Sequence, residues 1–330
     1  MTAGRIQPGL ALGRSSATMS GDRISPDLRS GLRYYESSGT PGVRVAALSA
    51  DARLLERLAG GAFEAEVHSV FRRVVNLRCA GDGRLSTLAG ATIDDAPDTL
   101  RLDVRHLDRL GLGPGTRVLC DGRRLAVGSS LEVSLDTARP WSPALPTLSG
   151  WPLPLSWLER FLRGRGVGRL FIGEPAAAGP LSAHTARLLR EAAGGLGRGL
   201  AAGDVNTALE YGGRLVGLGP GLTPSGDDYL VGMATACAIR GEPALAQLEV
   251  LRRVVRDNAG ATNEISHAAM AHAVRGRVRD RIVRFAEALV TGDPGRMRAA
   301  GELVIAIGGT SGTDMMSGLL AGLRLAPAVA

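Results

Sequence analysis

GLGPGLTPSGDDYLVG, residues Gly217–Gly232, contains five glycines, two prolines and two adjacent aspartates, the aspartates standing immediately before an apolar run. Glycines 217, 219 and 221 remove side chains from alternate residues, so a ligand or another backbone can approach closely. Pro220 and Pro224 stiffen what the glycines loosen. Ser225 stands where an N-cap is expected, with Asp228 three residues on as its reciprocal partner. The helix should then run to Arg240, with Gly241 past its end and Pro243 beyond. The stretch reads as a rigid loop feeding a helix N-terminus, a place where free N–H groups and the helix dipole favour phosphates and carboxylates. Asp227 and Asp228 have three readings: caps of their own helix, oxygen ligands for a Mg²⁺ ion, or acceptors for the N–H groups of an amide-like substrate. The sequence leaves all three open.

A second copy lies near the C-terminus, IGGTSGTDMMSGLLAG from Ile307. Aligning Ser225 with Ser311 also matches Gly226 with Gly312, Asp228 with Asp314 and Gly232 with Gly318. If the two loops meet, each brings a helix N-terminus and one aspartate to a shared pocket. Asp228, Asp314 and Asp227 are then the candidate catalytic residues. Gly219, Gly221, Thr223, Ser225, Gly226, Ser311 and Gly312 are candidates for binding an anion. Arg214, just ahead of the first loop, is the arginine placed to pair with it. Thr262 and Ser266, in ATNEISHAAM, are four apart and so share a helix face able to present two hydroxyls. His267 and His272 are five apart and turn away from each other; structural roles are expected for all five histidines.

Outward from this motif, the chain after about residue 155 has helical periodicity: LSWLERFLRG, HTARLLREAAGGL, DYLVGMATACAIR, ALAQLEVLRRVVRD, EISHAAMAHAVRG, RIVRFAEALV and MMSGLLAGLRL. Residues 41–140 instead carry short β-type runs starting at Val43, Phe63, Arg73, Thr99, Thr116, Arg123 and Ser130, separated by GDG, GPG and DG turns. Residues 141–155 fall in a proline- and tryptophan-rich stretch that reads as a stiff linker, and residues 1–40 as a flexible tail. The expected class is α+β: a β-rich N-terminal domain, a small antiparallel sheet or barrel, followed by a mainly helical C-terminal domain at 156–330.

Composition narrows the chemistry. All 39 basic residues are arginine, giving a net charge of +7 and a pI near 10.2. Without lysine there is no phosphate-loop lysine, Schiff base or pyridoxal phosphate anchor. The densest basic run, RGRVRDRIVRF from Arg275, raises nucleic acid as a partner. Aromatics of only 4% and the absence of a nucleic-acid signature argue against it. The longest apolar run, Tyr229 to Ile239, is too short to cross a bilayer, so no membrane partner and a cytoplasmic location are expected. Three cysteines without a CxxC suit buried thiols.

GLGPGLTPSGDD followed by an apolar residue resembles the signature of the AllH-like family, associated with the oxamate carbamoyltransferase of allantoin catabolism. The Thr262/Ser266 pair and the Ser311-Gly312-x-Asp314 copy resemble the family's later motifs more loosely, and the likeness spans about residues 41–325. It implies a subunit of a multi-chain enzyme moving a carbamoyl group between carbamoyl phosphate and oxamate, with other subunits and a small anion as partners. In that setting the glycine loops and Arg214 would bind phosphate or carboxylate, and Asp228 and Asp314 would accept N–H bonds or hold a metal. Ser225, Thr262 and Ser311 would line the site. Two other readings stand beside it: a non-catalytic subunit whose glycine loop docks a partner, and a phosphotransferase with a glycine-loop phosphate cradle.

Overall fold

The structure, a computed structural model, describes residues 42–61, 63–148, 155–164, 171 and 180–325. The expected N-terminal tail lies outside them. The first part contains nine strands: β1 (Val43–Asp51), β2 (Phe63–Val70), β3 (Val74–Cys79), β4 (Leu85–Gly90), β5 (Thr99–Leu102), β6 (Arg117–Cys120), β7 (Arg124–Val127), β8 (Leu131–Ser134) and β9 (Arg139–Trp141). Helix α1 (Ala52–Ala59) follows β1. The sheet order is β5-β4-β3-β2-β6-β7-β8-β1-β9, and β1 also pairs with β5 through Ala47–Leu102 and Ala50–Leu100. That extra pairing closes eight strands into a barrel and leaves β9 outside the ring. The ring is not wholly antiparallel, because β1 runs parallel to β8 and β4 parallel to β5. Alternation fills the interior. Phe63, Ala65 and Val67 of β2 point inward while Glu66 between them is exposed.

The helical part comprises α2 (Leu155–Gly164), α3 (Pro180–Ala202), α4 (Val205–Leu215), α5 (Ser225–Arg240), α6 (Leu245–Asp257), α7 (Glu264–Ala273), α8 (Asp280–Thr291), α9 (Pro294–Ile305) and α10 (Ser311–Arg324). Helix α5 is buried on all sides except at Ala238, so it forms the centre of this half rather than an amphipathic cover. The start of the expected linker is packed. Trp141, Leu145 and Leu148 lie against the helical core, and Leu148 N donates to Ile239 O at 2.8 Å. Residues 149–154 are outside the described residues.

The basic run from Arg275 does not form one face. Arg277 pairs with Asp51 of the barrel at 2.5 Å, with side chains 11% and 1% exposed. Arg279 pairs with Asp94, Arg281 reaches the same carboxylate at 3.4 Å, and Arg284 turns back to Asp280 at 2.6 Å. Burial alone would raise the Asp94 carboxyl, yet the guanidiniums of Arg279 and Arg281 hold it below its usual range. The arginines between the two halves therefore serve as a seam.

Candidate functional site

The two glycine loops meet. Helices α5 and α10 lie side by side in the same direction, with their N-termini together, and glycines set their separation. A Cβ on Gly232 would fall 1.8 Å from Met315 O, and one on Gly318 would fall 1.9 Å from Tyr229 O. Tyr229 and Met315 are themselves equivalent in the alignment of the copies, so the contact is reciprocal, like that of a two-fold pair. Gly226 and Gly312 repeat the relation six residues earlier, at the start of each helix. Cβ atoms there would fall 2.0 Å from Leu215 O and 1.9 Å from Val304 O, the ends of the preceding helices α4 and α9. The copy extends further back than the motif. Asp204 caps α4 and Asp293 caps α9, each following a left-handed glycine, Gly203 and Gly292. The loops differ in length: six residues separate Leu218 from Ser225, and three separate Ile307 from Ser311.

Gly219 and Gly221 have φ of +116° and +106°, which a residue with a Cβ adopts only under strain. Among the described residues the N–H groups of Gly219, Gly221, Gly308 and Gly309 donate to no acceptor. They lie around two helix N-termini, so this end of the helix pair is rich in unused donors. Gly226 and Gly312 do not add to them. Their N–H groups already donate to Leu218 O (2.9 Å) and Ile307 O (3.1 Å), and their role is close packing.

Below the loops sit three buried carboxylates. Asp228 accepts from Thr223 Oγ1 at 3.1 Å, and Thr223 Oγ1 contacts Ser311 Oγ at 2.8 Å, which links the two copies through hydroxyls. Burial pushes Asp228 up to about 7, and the negative charges of Asp314 and Asp227 add to the rise, against the hydroxyls of Ser311 and Thr223. Asp314 is likewise raised by burial to about 6, offset in part by Ser225 and Thr310. Neither Ser225 Oγ nor Asp314 Oδ2 closes a well-formed hydrogen bond, although both are buried. Ser225 is not the N-cap expected of it. Pro224 holds that position without a side-chain bond, Ser225 is the first helical residue, and Asp228 faces Thr223 instead of reaching back.

Asp227 does a different job. It accepts from Gly217 N at 2.8 Å and from Thr262 Oγ1, so it ties the start of the glycine loop to the segment before α7. Burial raises its carboxyl, against Thr262, Gly217, Ser266 and the charge of His267. With both oxygens engaged, Asp227 is a poor partner to Asp228 for Mg²⁺, and no group of three or more His, Cys, Asp or Glu among the described residues could hold a metal. Thr262 and Ser266 do not share a helix face as expected. Thr262 precedes α7, Asn263 caps it, and only Ser266 is inside. Both still face Asp227. Arg214 is engaged elsewhere: in the last turn of α4 it bonds Glu210 at 2.5 Å and lies 4.6 Å over the Tyr211 ring, half exposed. Thr262→Val should loosen the loop, costing about 1 kcal/mol and speeding amide exchange at Gly217; unchanged exchange would deny Asp227 its anchoring role.

Sequence reading missed a second concentration of functional side chains. His272 lies 3.2 Å from Asp98 of the barrel, and its neighbours open onto a basic cleft. Nothing in the spacing of His267 and His272 signalled it, because the partners come from the other half of the chain.

Comparison with known families agrees with this architecture. Residues 215–323 match the family model described as oxamate carbamoyltransferase subunit AllH, and residues 46–140 match the AllH family N-terminal domain. The first match begins at the end of α4 and covers both glycine loops. No solved structure matches the chain.

Proposed function

The chain belongs to the AllH family, and from that premise we propose that it is a subunit of an oxamate carbamoyltransferase whose paired glycine loops hold the oxyanion end of a substrate. The observation that carries the reading is the juxtaposition of unused N–H groups from both copies above Asp228 and Asp314. Donors fixed in place before the reaction stabilise charge as it develops without reorganising. Orientation supplies the rest.

In the transfer, the amide nitrogen of oxamate forms a bond to the carbamoyl carbon, the bond from that carbon to the phosphate oxygen breaks, and phosphate leaves with the electron pair. The proton released from nitrogen passes to the Asp228 carboxylate through the hydroxyls of Ser311 and Thr223, which reach from half-buried positions to the buried acid. A carboxyl titrating near neutrality suits a group that must take up and return a proton at ordinary pH. The charge of Asp314 adds to the burial that raises Asp228.

One observation favours the docking reading as a companion. Leu222, at the tip of the longer loop, is 71% exposed, and the shorter loop has no counterpart. An apolar tip at that point suits contact with another subunit of the complex. Two measurements test the proposal. Affinity purification of the tagged chain should bring down the remaining subunits, and Leu222→Asp should release them. In the reconstituted complex, Thr223→Val should lower turnover about tenfold or more while the complex stays assembled; full turnover with Val at 223 would remove the hydroxyl relay.

A further inference from the structure

A cleft of about 1010 Å³ separates the barrel from α7. Six arginines line it: Arg53 and Arg57 on α1, Arg78 on β3, Arg84 in the turn after it, and Arg275 and Arg277 beyond α7. Against them stand three carboxylates, Glu56, Asp98 and Glu264, so the lining carries a net charge of +3 with its two histidines neutral. Some of these cations are satisfied. Arg277 is paired with Asp51, and Arg78 with Glu264 at 2.8 Å. Others are not. The Arg53 side chain has no partner among the described residues, and Arg275 reaches only the main-chain oxygen of Ala271. Arg57, by contrast, is paired with Asp98 at 3.4 Å and bonds Ser86 Oγ at 2.9 Å, and only its buried Nε lacks an acceptor.

The walls are well determined. Asp98, with φ of +49°, is the one non-glycine residue among those described with a positive φ, and it holds its carboxylate between His272 (3.2 Å) and Arg57 (3.4 Å). Backbone strain of this kind persists where surrounding bonds over-determine it, and here the Asp98 N–H is fixed by Asp51 at 2.7 Å. On α7 the cleft is lined from 264, 267, 268, 271 and 272, while Ser266, Met270 and Ala273 turn to the interior. The cleft and the glycine loops therefore lie on different faces of one helix. No Phe, Tyr or Trp lines the cleft, so it offers no surface for stacking a nucleobase.

We propose that this cleft is a second binding site, distinct from the paired loops, for a compact polyanion bearing two or more oxyanion groups, an organic phosphate or a polycarboxylate. Arg53 and Arg275 supply the open guanidiniums, one from each half of the chain, and guanidinium forks suit oxyanions of either kind. Calorimetric titration of the full chain with pyrophosphate and with citrate tests it. At least one of the two should bind at low salt, more weakly at high salt, and at least tenfold more weakly to the double variant Arg53→Ala/Arg275→Ala. Both side chains are exposed, so the variant should keep its melting temperature; Arg275→Glu alone provides a second reading if it does not. Tighter binding of pyrophosphate assigns the site to phosphates, tighter binding of citrate to carboxylates. Thr223→Val should leave the affinity unchanged, which separates this site from the loops. Three results would overturn the proposal: neither probe binding at millimolar concentration, equal binding by wild type and both variants, or binding of a glutamate-rich peptide alone, which would make the cleft a docking surface for an acidic protein segment.

Discussion

Gly232→Ala is expected to destabilise the protein by about 3 kcal/mol, although alanine at an unhindered helical glycine stabilises by up to about 1 kcal/mol. The reason lies in what the new methyl group meets. At 1.8 Å from Met315 O it strikes backbone, not the end of a movable side chain, so the two central helices must part along their whole contact. Gly318→Ala should behave alike, since its methyl meets Tyr229 O at 1.9 Å. The double variant should cost less than the sum of the two, because once the helices have separated the second methyl finds room. Gly197→Ala provides the control. It is in α3 with nothing within 4 Å of its Cβ, and it should gain stability. Urea unfolding of the four variants checks this, and a Gly232→Ala protein as stable as wild type would show that the helices are not held at backbone contact.

Asp228→Asn should flatten the stability curve between about pH 4 and pH 7 and abolish transfer together. A carboxyl raised to about 7 in the folded chain binds a proton that the unfolded chain has released. Stability from this group is therefore full below the unfolded value, near 4, and declines as pH rises to about 7. The gap corresponds to at most about 4 kcal/mol, shared with Asp314, whose rise to about 6 acts in the same direction. Asparagine keeps the shape and removes the charge, so the variant should be the more stable protein at pH 8, by about 1–2 kcal/mol. Its turnover in the complex should fall by about 10²-fold or more. Such a trade is expected where buried charge serves chemistry rather than folding. A variant that is less stable at pH 8 would show that the ionised carboxylate is a structural partner instead.

Much of the fold was legible because its periodicities are local. The seven strand runs and the seven helical runs all correspond to elements, and Gly241 ends α5 where the glycine and following proline suggested. Strand β4 was missed because the two leucines of LSTLAG stand three apart and so do not alternate, and α4 and α9 because VNTALEYGGRL and PGRMRAAGELVI interrupt their apolar faces with glycine. Barrel closure could not be read at all, since the pairing of β1 with β5 depends on residues fifty apart that carry no mutual signal. At the candidate site, the repeat of Ser-Gly-x-Asp revealed which loops to compare. The same pattern misassigned Ser225 as a cap and Gly226 as a donor, because chain-local rules do not know that Leu218 O already occupies the Gly226 N–H. Arg214 was chosen for nearness in sequence, whereas its direction is decided by Glu210 one turn back on α4. The arginines and histidines of the cleft were individually visible and collectively hidden, each lacking a partner until the barrel is folded against α7.

The most direct test of the central claim, that the two loops form one anion site, is an amide NMR titration of the ¹⁵N-labelled chain with oxamate and with phosphate. The account predicts that the N–H signals of Gly219, Gly221, Gly308 and Gly309 move together and saturate at one common concentration. Signals from one loop moving while the other stays still, or both staying still while an added anion binds elsewhere, would contradict it.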